Sequence, residues 1–497
     1  MTDPQSSSNT RREFIKSGTA AAAGLIAGAS AGQAQNGPAL PENQESTPPA
    51  TAAKSDTDGK FLSDTPKEFQ EFSRYKPSYG GPPGSDTYLG KLVPGLRESG
   101  LDSVPVEAPD LPKLPFKMVN GWKEFHLVAE PVVREFLPGK FMNVYGYNGS
   151  MPGPTIEVTQ GDKVRVVVHN NLPEMTSVHW HGFECPVAMD GVPGLTQDPI
   201  MPGKKFVYEF QMHQAGTFFY HSHMPMQEAN GMVGWFIIHP AKAYDPPVDR
   251  DFALIFQNFR IDAANTIADS WGMDWNWHTI NGRSGPYTTP LVCKHGERVR
   301  IRLLNFAPVQ HHPIHLHGHT FWITGHEGAR IPPEAWIPRN NTLVGVAQAS
   351  DFEFIAFNPG DWIFHCHMVH HMMNHMVRQS GPRIRDEIEV SRYKESLTSR
   401  PDVHYPKTNK YAAVPGWPQM MQSKGFSPEE LEKIFNRREV KGMRKNWHEG
   451  VKGLMTVVRV LPDDLYHRVM ETNEEVPWGT SVPGNPHMSM PGMKKKP

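Results

Sequence analysis

The sequence predicts an all-β chain built on two tandem β-sandwich domains, and three observations carry that prediction. Short β-branched or alternating runs, such as Thr155-Ile156-Glu157-Val158, Lys163-Val164-Arg165-Val166-Val167-Val168 and Arg298-Val299-Arg300-Ile301-Arg302-Leu303, are separated by turns such as Gln160-Gly161-Asp162 and Lys294-His295-Gly296-Glu297. The runs recur as an internal repeat. Gly161-Asp162-Lys163-Val164-Arg165-Val166 followed by His179-Trp180-His181-Gly182 matches Gly296-Glu297-Arg298-Val299-Arg300-Ile301 followed by His315-Leu316-His317-Gly318, and Tyr220-His221-Ser222-His223 matches Phe364-His365-Cys366-His367. The chain outside the repeat has a different composition, rich in Pro, Gly, Ser and charge.

In chain order, residues 1–34 read as an export signal. Thr10-Arg11-Arg12-Glu13-Phe14-Ile15-Lys16 resembles the twin-arginine signature, Ser17 to Ala34 is a short Ala/Gly-rich apolar stretch, and Ala29, Ala31 and Ala34 offer small-residue cleavage positions. Residues 35–114 read as a linker or irregular arm. Residues 115–243 form the first sandwich, closed by Gly231-Met232-Val233-Gly234-Trp235-Phe236-Ile237-Ile238, and residues 245–380 form the second. Residues 381–450 interrupt the second sandwich. There Ser427-Pro428-Glu429-Glu430-Leu431 carries an N-cap and a proline at the first helical position, so a short exposed helix is expected. Gly453-Leu454-Met455-Thr456-Val457-Val458-Arg459-Val460, within 451–464, is read as the delayed closing strand. Residues 465–497 form a tail with His487, Met488, Met490 and Met493.

Composition narrows the function. The 497 residues carry a formal net charge of −2, which gives no reason to expect nucleic acid or an anionic membrane as partner. Mean hydropathy is −0.51, and no segment approaches the ~20 apolar residues of a membrane span. Three cysteines make no disulfide scaffold; Cys185 and Cys293 are either a pair or two free thiols. The 25 His and 24 Met are residue types that bind soft and borderline metals such as copper.

The histidines are patterned. On a strand, two His one residue apart point to the same face and the residue between them points to the other. Four such pairs occur, His179/His181, His221/His223, His315/His317 and His365/His367, in symmetry-related places of the repeat. Cys366 lies between His365 and His367, so its side chain leaves the opposite face, where His312 and His371 are near in sequence to the motifs. Two His and one Cys, with a long axial Met, make a blue-copper electron-transfer site. Cys366 therefore joins two metal sites through its own backbone. The first repeat has Thr176, Ser222 and Gln227 where the second has His312, Cys366 and His371, so it has no such site.

His312-Pro313-Ile314-His315-Leu316-His317-Gly318-His319 and His365-Cys366-His367-Met368-Val369-His370-His371 resemble the signature motifs of the multicopper oxidases, over residues 140–380. The resemblance implies cupredoxin-like Greek-key sandwiches and four coppers per chain. Type 1 copper would take His312, Cys366 and His371; type 2 would take His179 and His315; the type 3 pair would take His181, His221, His223, His317, His365 and His367. Met376, five residues past His371 and aligned with Met232, has the family's spacing for the axial ligand. His375 stands before it where the family has Gly, and Met455 is the alternative. Only 89 positions separate His223 from His312, too few for a third sandwich, so the chain is similar to the two-domain, small-laccase branch. That branch implies a homotrimer whose trinuclear clusters lie between chains.

The resemblance also implies the reaction, in which O2 is reduced to water with electrons from a small phenolic, aromatic or metal-ion donor; the export signal at Arg11-Arg12 implies the periplasm or the outside of the cell as its place. Asp190, in Met189-Asp190-Gly191, is placed either to relay protons to O2 or to make an Asp-Gly turn. Met224, Met226, Met368, Met372 and Met373 either pack or bind Cu(I) as substrate, which would make the enzyme a cuprous oxidase. A copper nitrite reductase would carry its Cys motif in the first repeat, and a copper-storage protein has no use for the Cys bridge.

Overall fold

The computed structural model describes residues 103–262, 265–269, 277–373, 381–384, 411–414 and 426–481. The signal-like segment, most of the arm, Met376 and the terminal His/Met residues lie outside the described residues.

Each half of the repeat folds as a sheet pair. In the first half, a four-stranded sheet runs Ile156–Thr159, Val233–His239, Gly216–Ser222, Val178–His181. It faces Trp122–Leu137, Lys140–Tyr147, Lys163–Asn170 and Lys205–Gln211. Alternation decides which side chains meet: Val164, Val166 and Val168 point inward against Ile156, Val158, Trp180, Tyr220 and Phe236. Each such burial contributes roughly 1.5–3 kcal/mol.

The second half repeats the plan. Its small sheet runs Leu291–Lys294, Met455–Leu461, Gly360–Cys366, His312–Leu316, Asn341–Val344. It packs Ile314, Leu316, Phe364, Cys366, Val458 and Val460 against Leu254, Phe256, Ile301, Leu303, Phe352 and Phe354. Strand Met455–Leu461 lies between Leu291–Lys294, in parallel, and Gly360–Cys366, antiparallel, as Val233–His239 lies between Ile156–Thr159 and Gly216–Ser222. A strand from beyond the long excursion thus fills the closing slot.

The halves share more than a linker. Phe219, Val233, Trp235 and Ile237 of the first pack with Ala253, Ile255, Leu304 and Phe306 of the second. A buried ionic seam runs beside them: Thr217 donates to Asp351 at 2.7 Å, Arg302 bonds Asp251 at 2.7 Å, and Arg298 and Arg300 both bond Glu353. Removing one partner from such a buried network costs about 3–5 kcal/mol. Thr217 stands on the strand that carries His221, so the seam also fixes that strand.

The helix Pro428–Phe435 carries a full capping box between Ser427 and Glu430. It is not a free-standing element: Ile434 is fully buried with Phe136, Met142 and Trp277, and Lys433 pairs with Glu135 at 2.6 Å. The beginning of the tail is also packed, with Leu465, Tyr466 and Val469 buried against Val292 and Leu461.

Candidate metal centres

The first centre forms where strands His312–Leu316 and Gly360–Cys366 pair, with Ile314 opposite Cys366. The short turn Val369–Met372 returns His371 to the same place. Cys366 Sγ lies 3.5 Å from His312 Nδ1 and 3.4 Å from His371 Nδ1, and the two nitrogens are 3.1 Å apart. Three ligands on bonds of about 2 Å at trigonal angles stand roughly 3.5 Å from one another, so this triangle fits one metal ion. All three residues are buried. Burial pushes the thiol up to about 12 and the imidazoles down, His312 to about 3 and His371 to about 4. The imidazoles are therefore neutral ligands, and a metal entering must displace the thiol proton. His278 stacks on His371 with ring centroids 4.2 Å apart at 30°. Its Nδ1–H donates to Asn258 Oδ1 at 3.0 Å, and its buried Nε2 has no hydrogen-bond partner.

Two further trios are grouped within ligand distance, His179/His181/His221 in the first half and His315/His317/His365 in the second. They are built alike. His221 Nδ1–H donates to the carbonyl of Ser222 at 2.7 Å and His365 Nδ1–H to that of Cys366 at 2.8 Å, leaving each Nε2 free. His181 Nδ1 then stands 3.3 Å from His221 Nε2, and His317 Nε2 stands 3.2 Å from His365 Nε2. His179 Nδ1 is held by the carbonyl of Asp190 at 2.7 Å, and His315 Nδ1 by that of Asn340. His223 lies beside His179, with centroids 5.6 Å apart, and His367 lies 5.3 Å from His365. Burial lowers His181 and His365 to about 4 and His221 to about 3, which keeps their lone pairs available.

The eight histidines form two sets, not one. Every ring contact among them joins residues of the same half, and among the described residues the second-half ring in contact with His221 is Phe306, with centroids 5.4 Å apart. His317 and His367 are exposed.

Two carboxyls attend the first-half set. Asp190 acts on His179 chiefly through its backbone carbonyl, with its carboxylate 3.4 Å away. Gly191 makes this approach possible: at φ +86° it takes the left-handed turn, and a Cβ there would collide with the carbonyl of Val178. Both the turn and the placement beside the site are therefore present. Glu228 lies 3.6 Å from His221 Nδ1, and burial raises it to about 7. His278 and Glu228 were not singled out from the sequence, because neither sits in an H-x-H phrase. Of the axial candidates, Met376 lies outside the described residues. Met455 pairs with His365 across the strands. Cys185 and Cys293 are free thiols; Cys293 is buried, with its Sγ 3.4 Å from the carbonyl of Arg459.

Residues 130–243 and 258–382 match two family models, each described as multicopper oxidase. Dihydrogeodin oxidase of Aspergillus terreus is 29% identical over 51% of this chain and 45% of its own length. Multicopper oxidase mco of Staphylococcus aureus is 35% identical over 38% of this chain and 44% of its own. The blue copper oxidase structure from Nitrosomonas europaea overlays with a TM-score of 0.47 at 30% identity, covering 51% of this chain and 82% of that one. The chain spans less than half the length of these two curated relatives. With both halves matched and the histidine sets in place, residues 130–243 and 258–382 belong to the multicopper oxidase family.

Proposed function

We propose that the chain is a laccase-like oxidase that removes single electrons from four donor molecules and passes them to one O2, which with four protons becomes two waters. The observation that carries this reading is one strand, Gly360–Cys366, which directs Cys366 into the buried trigonal site and His365 into the neighbouring imidazole set. Copper held by these residues would supply a one-electron acceptor on the Cys366 face and an O2-reducing cluster on the histidine face. The chain itself supplies the short covalent path from Cys366 Sγ through its backbone to His365 and His367. The carbonyls of Asp190, Asn340, Ser222 and Cys366 fix the imidazole tautomers. The side chain of Asp190 is the proton carrier for O2 reduction. The ligand assignment is one type 1 site at His312, Cys366 and His371, with type 2 and type 3 copper on the eight paired histidines.

The cluster is completed by a second copy of the chain in a closed homotrimer. Two observations support this: each half holds only four of the eight ligands and the sets do not touch, and exposed apolar residues rim both of them. Met226 is 47% exposed beside the first set, and Met368, Val369 and Leu343 are 42%, 58% and 62% exposed around the second. Patches of this kind are what an interface covers. The test is complementation. His179→Ala/His181→Ala chains co-folded with His365→Ala/His367→Ala chains should regain part of the activity that each loses alone, and light scattering should give three chains. A fully active monomer, or no complementation, overturns the trimer.

The twin-arginine phrase at Arg11-Arg12 supports export of the chain to the periplasm or outside the cell. Among the described residues no helix is long and apolar enough to cross a membrane. A second donor, Cu(I), is favoured by the exposed thioethers of Met226 and Met368; one of the matched relatives is a copper resistance protein A homolog of Pseudomonas syringae. Steady-state O2 uptake on phenols, aromatic amines, Cu(I) and Mn(II) separates these donors.

A further inference from the structure

We infer that the axial position of the type 1 site is the place of the Leu454 side chain; the inference rests on the copper reading of His312, Cys366 and His371. The closing strands of the two halves share one register. In the first half, Ser222 N–H donates to the carbonyl of Met232, and Met232 N–H donates to that of Gln227, both at 3.2 Å. In the second half, Cys366 N–H donates to the carbonyl of Leu454 at 3.1 Å, and Leu454 N–H donates to that of His371 at 2.8 Å. The two pairs of bonds join equivalent residues, so Leu454 occupies the place of Met232. The sheet agrees, since His221 pairs with Val233 as His365 pairs with Met455.

Alternation then excludes Met455. Leu454, Val458 and Val460 share the core that contains Cys366, while Met455 packs with Val440, Met443, Val451 and Val457, and its Sδ accepts from Lys452 N–H at 3.3 Å. Met376, which has the family spacing, lies outside the described residues, and the place that Met232 holds in the first half belongs to the closing strand. Here strand Met455–Leu461 fills that slot, and Gly453 brings it tightly over the motif. Gly453 sits at φ +60°, and a Cβ on it would collide with the carbonyl of His371. Leu454 is fully buried.

The chemical consequence is a raised reduction potential. A thioether donates to Cu(II) and steadies the oxidised ion; an aliphatic side chain does not. A dry apolar wall also penalises the oxidised site, which carries one more positive charge than the reduced one. With copper bound, the site would accept an electron from reluctant donors such as phenols, each losing one electron to the site and its hydroxyl proton to water to become a phenoxyl radical.

The test uses the copper-loaded full-length chain. Leu454→Met conserves volume, and the equivalent slot of the first half already holds a methionine. It should shift the type 1 reduction potential downward and alter the visible and electron paramagnetic resonance spectra. Met376→Leu and Met455→Leu should leave both unchanged. An upward shift in either of those two, or an unmoved potential in Leu454→Met, overturns the inference. A wild-type chain with no blue band overturns the copper reading beneath it, which is a separate outcome.

Discussion

The two halves of the chain share a framework, and three side chains in each set one pocket apart from the other. Where the second half gathers His312, Cys366 and His371, the first gathers Thr176, Ser222 and Gln227. There the Thr176 and Ser222 hydroxyls both donate to Gln227 Oε1 at 2.7 Å, and Gln227 Nε2 donates to Glu174 at 3.0 Å and to the carbonyl of Met175 at 2.9 Å. The first-half pocket satisfies itself with hydrogen bonds. The second-half pocket aims a thiol and two neutral imidazoles at a common point, an arrangement that a cation completes. The same fold thus holds once a closed polar knot and once a trio with the geometry of a metal site, and side-chain chemistry decides which.

Substitutions that make one half resemble the other test that statement. The largest effect is expected from Cys366→Ser, which gives the second half the residue of the first. Blue colour and donor oxidation should vanish while the histidine sets still bind copper, as absorption and metal counting will show; retained blue absorption contradicts the assignment. Asp190→Asn is the reciprocal change, since the second half uses Asn340 in the same carbonyl role. His179 should keep its support, so copper content and reduction by donor should hold. Reoxidation by O2 should slow by about a hundredfold as the proton carrier is lost. Stopped-flow measurement of both half-reactions checks this, and equal slowing of both, or of neither, favours the turn alone. His278→Ala removes the ring stacked on His371; a loss of about ten- to hundredfold in type 1 copper affinity is expected, read by competition with a chelator.

The smallest effect concerns stability. Glu157 occupies the position that Val292 holds in the second half. Burial works to raise its carboxyl, but hydrogen bonds from His239, Lys113 and the Val106 N–H outweigh burial and hold it at about 2. A folded value below the unfolded one gives stability that is complete above pH ~4.5 and is lost as pH falls toward 2, on the order of 3 kcal/mol at most. Glu157→Gln should remove that acid-sensitive part, so acid titrations of the two proteins should converge at low pH.

How much was legible in the sequence follows from range. The H-x-H phrases, the Cys between two His and the missing trio of the first half are local patterns whose geometry alternation dictates, so they could be read directly. The candidate for the axial slot could not, because only pairing in three dimensions puts Leu454 in the core cluster of Cys366 and its neighbour Met455 in another. The service of Asp190 to His179 comes from a backbone carbonyl, which residue type does not reveal. His278 reaches His371 from a separate strand, Trp277–Ile280, with no motif around it. The helix at Pro428 was visible from its cap, while the side it buries depended on Phe136 and Trp277 far away in sequence.

The central claim is that electrons collected singly at the Cys366 site leave together as water. Measuring O2 consumed against donor oxidised, with peroxide assayed in the same vessel, tests it most directly. The account predicts one O2 for every four one-electron oxidations and no peroxide. One O2 for every two, with peroxide accumulating, or donor oxidation without O2 uptake, would contradict it.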